Sequence, residues 1–251
     1  LALLLTALGA SVAEASRVTP MIVEMKPTGR QAVARIELTN DSGRDIAYEV
    51  AMVRGEISTK GELTVTPADD DFLVFPPQAL VERDSSQVFR VQYLGTDLLE
   101  TSQLYYLAIR QVPVAFDPGE NQVQVIVNFN VLVHVVPDNT EPLPQVISAQ
   151  YVEREVLEGD GPAEDGAAPR MEKGLLVELG NNGTRYYYAG QSKWTIRATT
   201  MSGEPYVMQL TGDDASRFVG AGVVAPGRNR EFFLPSDAPL RPESILVELD
   251  L

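Results

Sequence analysis

With 251 residues, 44% hydrophobic and 22% charged, the chain holds enough apolar material for two modest domains. Its formal net charge of -15 argues against nucleic acid and anionic membrane surfaces, which need Lys/Arg patches to displace counterions. With no cysteine and a single histidine, disulfides, a thiolate nucleophile and a Cys-based metal site are excluded, and a Ser/His/Asp triad nearly so.

The chain opens on "LALLLTALGASVAEAS". Leu1 to Leu8 is too short to span a bilayer, and Ala13-Glu14-Ala15 has the small-x-small pattern of a signal-peptidase site. Residues 1–15 are therefore expected to be the remnant of a signal peptide, with the mature chain starting near Ser16 and not embedded in a membrane after cleavage.

Beyond it, helical periodicity is almost absent. Apolar runs of strand length recur between Gly, Pro, Asn and Asp: "MIVEM", "AVARIELTN", "IAYEVAMV", "ELTVTP", "FLVFPP", "SQVFRVQYL" and "LYYLAIRQVPV". Asp69 to Asp71 fall between two of these runs. Consecutive residues of an extended segment point in different directions and no calcium-loop spacing follows, so a solvated loop is expected there.

Residues 121–137, "NQVQVIVNFNVLVHVVP", then alternate with period two. Val123, Val125, Val127, Phe129, Val131, Val133 and Val135 form one row. As a single strand the ribbon would run roughly 50 Å at ~3.3 Å per residue. His134 lies within it and is expected to be packed rather than catalytic. From the residues alone, the ribbon fits an interior strand paired on both sides within its own domain.

"PDNTEPLP", residues 137–144, has the composition of a linker. A second β series follows, from "QVISAQYVERE" to "ESILVELDL", interrupted at about 157–172 by a Gly- and acid-rich stretch expected to be a mobile surface insertion. Trp194 is expected in the core, and in Tyr186 to Tyr188 alternate rings should point inward and outward. The reading is all-β: a domain over 16–138 and another over 139–251, each of immunoglobulin size. No phosphate-binding loop, metal-ligand cluster or paired-carboxylate motif stands out, and no cofactor is expected.

Four elements in order resemble the periplasmic pilus-assembly chaperones of the chaperone–usher class. They are Pro76-Pro77, Gln87 with Arg90, Leu104 to Leu107 ending in Val112-Pro113, and "VVAPGRNREFFLP" in the second half. The resemblance spans about residues 17–251. It implies two Ig-like sandwiches in an L shape with a cleft between them, no enzymatic activity, pilin-like subunits as cargo and an outer-membrane usher as the receiving partner. It also implies that the last strand of the first domain is lent to an incomplete subunit, a case the general account of β-strand addition already includes. By position the lent residues are Val123, Val125 and Val127, with Phe129 as a fourth.

The chain departs from that family at one point. Basic residues that bind a subunit's C-terminal carboxylate are replaced, by position, by Ile22 and Leu132. A buried carboxylate still needs a cation or several N–H donors. Arg110, Arg90 and Arg17 are the nearby substitutes, the first two favoured because they fall within expected strands. Two other classes stay open at this stage: a structural or adhesive two-domain component of a surface fibre or coat, and a carbohydrate-binding or hydrolytic sandwich, the latter disfavoured by the scarcity of catalytic groups.

Overall fold

The structure is a computed structural model that describes residues 16–96, 98–113, 126–156 and 170–251. The expected leader lies outside the described residues. So do 157–169 of the expected acidic insertion, whereas 170–172 open a strand.

The described residues divide into two compact units. The first holds the described residues up to Arg54, Pro67–Gly95, and those of Tyr105–His134; the second holds Gly55–Thr66, the described residues of Thr96–Leu104, and those of Val135–Leu251.

The first sandwich is built from β1 (Arg17–Thr19), β2 (Ile22–Met25), β3 (Val33–Asn40), β4 (Ile46–Ile57), β5 (Leu63–Pro67), β6 (Phe72–Phe75), β7 (Gln78–Val81), β8 (Ser85–Tyr93), β9 (Gln103–Gln111) and β10 (Phe129–Val135). One sheet runs β1-β3-β8-β6; the other runs β2-β10-β9-β4-β5, with β7 also on β4. Pro20 separates β1 from β2, which lie in different sheets, as befits a residue that cannot donate to a ladder.

Alternation explains the core. Ile36 and Leu38 of β3 and Phe89 and Val91 of β8 face Met52, Leu107, Ile109, Val131 and Val133 of the larger sheet, all fully buried.

The second sandwich comprises β11 (Pro144–Val156), β12 (Arg170–Asn181), β13 (Tyr187–Tyr188), β14 (Lys193–Thr199), β15 (Pro205–Leu210), a short helix α1 (Asp213–Val219), β16 (Val223–Val224), β17 (Asn229–Pro235) and β18 (Leu246–Asp250). Its sheets are β11-β12-β17, β13-β16 and β15-β14-β18. Trp194 is the expected core residue: fully buried, its indole N–H donates to Ala189 O at 2.8 Å and its ring meets Phe232 edge-on at 5.9 Å. Trp194→Ala should cost about 3–5 kcal/mol of stability, read from urea unfolding of the whole chain.

The two sandwiches share a turn device. Asn40 ends β3 and Asn181 ends β12, and both are fully buried. Each side-chain carbonyl accepts the amide two residues on, from Ser42 at 3.1 Å and Gly183 at 3.0 Å. Each side-chain NH₂ donates to the carbonyl four residues on, Arg44 O and Arg185 O, both at 2.8 Å. It also crosses to another segment, Val81 O at 2.9 Å in one case and Val224 O at 3.1 Å in the other. The side chain thus replaces backbone partners that the turn takes away.

Candidate functional site

The valine row enters the first sandwich as β10, which is shorter than the ribbon expected from the sequence. Among the described part of 121–137 the strand covers Phe129–Val135 only. It lies between β2 and β9, and Leu132 N–H donates to Met21 O at 2.9 Å. From Val131 to Val136 every side chain is buried, on both faces. That segment is an interior strand, as the residues alone suggested.

The chain just before it differs. Ile126, Val127 and Asn128 belong to no strand, and among the described residues their main chain makes no backbone–backbone hydrogen bond. Two side chains end the β9–β10 ladder instead. Asn128 Oδ1 accepts Gln111 N–H at 3.1 Å, and Gln111 Oε1 accepts Val127 N–H at 3.2 Å. The Gln111 side chain at the end of β9 and the Asn128 side chain just before β10 thus take main-chain N–H groups that ladder bonds would otherwise use. Val127 and Phe129, half-buried, carry the same face as the fully buried Val131, Val133 and Val135 outward to this point. Val123 and Val125 lie outside the described residues.

Ile22 opens β2 and is 43% exposed, whereas Leu132 is buried in β10. The three arginines do not converge. Arg17, on β1, forms a surface ion pair with Asp41 at 3.4 Å. Arg90, on β8, stands directly across from Arg35 of β3 and donates to Gln92 Oε1 at 3.2 Å. Arg110, on β9, stands across from Glu49 and lines a groove of about 510 Å³ together with Glu49, Ala51, Pro77, Gln78 and Ala108. Among the described residues Arg110 has no ion pair.

A cation that the sequence did not single out is Arg54. Its Nη2 donates to Tyr105 OH at 2.8 Å and to Asp71 Oδ2 at 3.3 Å, and its guanidinium lies 5.2 Å from the Tyr105 ring centroid. Asp69 is likewise committed, accepting Met52 N–H at 3.1 Å. The expected solvated loop is therefore a tight turn in which two of three carboxylates are tied to β4, because their short side chains reach strand donors that an isolated reading of the tripeptide cannot see. Asp70 alone faces solvent free. No group of acidic or histidine side chains among the described residues could hold a metal ion.

The tyrosines around this corner set a pH dependence. Burial pushes the Tyr105 phenol well above its ordinary value of 10.0, and burial does the same for Tyr187 in the second sandwich. Unfolding releases these phenols to ionise while the folded state keeps their protons, so stability present below pH 10 falls as pH rises beyond it. Chemical denaturation at pH 8, 10 and 11 should give a midpoint that drops only above 10; a Tyr105→Phe, Tyr187→Phe double variant should drop less.

Tyr186 and Tyr188 are half-buried and meet edge-on at 5.1 Å while Tyr187 packs inside, the alternation expected of a strand. His134 is packed in β10 at 1% exposure. Among the described residues, no helix is long and apolar enough to cross a membrane.

The fold has counterparts among known proteins. Residues 17–141 match the family model described as pili and flagellar-assembly chaperone, PapD N-terminal domain. The class 5 fimbriae chaperone CfaA superposes with a TM-score of 0.54 at 12% identity, over 94% of this chain and 99% of that one. A chain of the CsuC–CsuE chaperone–tip adhesion subunit pre-assembly complex, from archaic chaperone–usher Csu pili of Acinetobacter baumannii, gives 0.51 at 10% identity, over 88% and 90%. One from the Salmonella enterica SafA pilin–SafB chaperone complex gives 0.50 at 14% identity, over 96% and 98%. No curated protein matches the chain. These likenesses establish the all-β two-sandwich fold, and the family is non-enzymatic. Through residues 17–141, about half its length, the chain belongs to the PapD-type family of pili and flagellar-assembly chaperones.

Proposed function

We propose that the protein is a periplasmic chaperone that holds pilin-like subunits by lending them the stretch of chain leading into β10, and delivers them to an outer-membrane usher. The observation that carries this reading is the row on the core-facing side. Phe129, where the paired strand begins, and Val127, just before it, continue the face of Val131, Val133 and Val135 outward, so their half-exposed side chains are available to a strand from elsewhere. Val123 and Val125, outside the described residues, would extend the row by the same alternation. Three or four aliphatic or aromatic side chains at about 1.5–3 kcal/mol each supply several kcal/mol before the costs of association. The resemblance to chaperones solved with a pilin or a tip subunit supports the cargo class.

For the subunit's C-terminal carboxylate, Arg110 is the foremost candidate. It is exposed and uncommitted, whereas Arg17 and Arg90 already have polar partners. Periplasmic co-expression with candidate pilin-like subunits, followed by pull-down, tests both parts. The wild-type chain should retain a subunit. Arg110→Ala should weaken retention by about tenfold, the value of one exposed charge-assisted contact, with Arg90→Ala and Arg17→Ala near wild type. Equal retention by all three variants would remove the arginine anchor while leaving strand donation standing.

A further inference from the structure

The other end of the six-stranded sheet is open. β5, Leu63-Thr64-Val65-Thr66-Pro67, ends the order β2-β10-β9-β4-β5, and all five of its residues are exposed. It pairs with β4 on one side only. Ala68 N–H donates to Met52 O at 2.9 Å, and Ser58 N–H to Glu62 O at 2.8 Å. By alternation the polar groups of Glu62, Thr64, Thr66 and Ala68 point toward β4, and those of Leu63, Val65 and Pro67 point away. Exposed edges are blunted by charge, by proline or by shortness. The one proline of β5 is its last residue, Pro67, which leaves the Leu63 and Val65 donors free to pair; of inserted charge β5 carries none.

We propose that β5 is a self-association edge, pairing antiparallel with β5 of a second copy of the chain about a two-fold axis through Val65. The sequence is nearly palindromic about that residue. In this register Val65 faces its own copy and the two exchange N–H to O bonds in both directions. Leu63 N–H reaches Pro67 O of the other strand, so the missing N–H of Pro67 leaves only the Leu63 carbonyl without a ladder donor. Thr64 stands opposite Thr66, a favourable cross-strand pair.

Charge supplies an independent argument. Lys60 at one end of the strand and Asp70 at the other are both exposed and free of ion pairs among the described residues. Antiparallel self-pairing places the turn bearing Lys60 of each copy at the same end of the paired strands as the turn bearing Asp70 of the other, whereas parallel pairing would gather like charges at each end. An isologous contact of this kind closes at two subunits. It uses none of the residues invoked for holding a subunit.

The natural absence of cysteine makes the test clean. Residues directly opposed in a hydrogen-bonded antiparallel pair sit at about 5.5 Å between Cα atoms, within the roughly 4.4–6.8 Å that a disulfide spans. Under mild oxidation, a Val65→Cys full-length chain should form a disulfide dimer at least about tenfold faster than Val88→Cys, which places a thiol on an exposed position of the other sheet. Sedimentation of the wild type should show a weak dimer, with Kd on the order of 0.1 mM for so small a contact. Lys60→Asp or Asp70→Lys alone should weaken it by roughly threefold or more, and the double exchange should restore it. A monomer at all concentrations up to about 1 mM, equal crosslinking at positions 65 and 88, or a double exchange no better than either single variant would overturn the proposal.

Discussion

Val127→Asp should abolish retention of a pilin-like subunit while leaving the chaperone folded. The position lies beyond the last ladder bond of β9 and β10, and its side chain is only half-buried in the free protein, so an aspartate there stays hydrated and costs little before binding. In a complex the same carboxylate would be driven into an apolar groove with no cation beside it. Losing the burial of a valine and desolvating part of a charge together remove about 4 kcal/mol, roughly a thousandfold in affinity. Phe129→Asp should behave similarly in binding but also lose some stability, because Phe129 begins the paired strand. Circular dichroism and urea unfolding separate the two effects, and a Val127→Asp variant that still retains the subunit at wild-type level would remove this residue from the contact.

The second large effect concerns stability. Asn40→Leu should destabilise the chain by about 3–5 kcal/mol, because a side chain of similar volume abandons Val81 O, Arg44 O and the Ser42 amide in a fully buried turn. Asn181→Leu should cost the second sandwich a similar amount, since it strands Val224 O, Arg185 O and the Gly183 amide in the same pattern. Asp at either position keeps the acceptor but sets a buried carboxylate oxygen against two carbonyls, and should cost at least as much as Leu near neutral pH. A loss under about 1 kcal/mol in both leucine variants, measured by urea unfolding, would show that water replaces the side chain and that the device is not structural.

Period two made most of the sandwich legible, because a half-buried strand needs its apolar residues on one face and the runs from "AVARIELTN" to "LYYLAIRQVPV" meet that need. The end of β10 was not legible. Its alternation runs unbroken from Val123 to Val135, yet the ladder stops at Phe129, and what stops it is a crossed pair of side-chain amides on Gln111 and Asn128. No pattern of hydrophobicity records which amide a side chain will occupy. The asparagine turns were hidden for the same reason: Asn40 and Asn181 look like ordinary turn residues until Val81 and Val224 arrive from distant segments. The grouping of residues 55–66 with the second unit is equally invisible, since it rests on contacts such as Glu231 N–H to Thr59 O at 2.7 Å. Arg54 does not stand out in the sequence because its partners, Tyr105 and Asp71, are both distant along the chain.

Amide hydrogen exchange across residues 122–129, compared between the free chaperone and the same chain copurified with a co-expressed pilin-like subunit, weighs strand lending most directly. Lending predicts fast exchange in the free protein and strong protection of alternate amides in the complex, with β10 from Val131 onward protected in both. Unchanged exchange over 122–129 in a stable, copurified complex would contradict it.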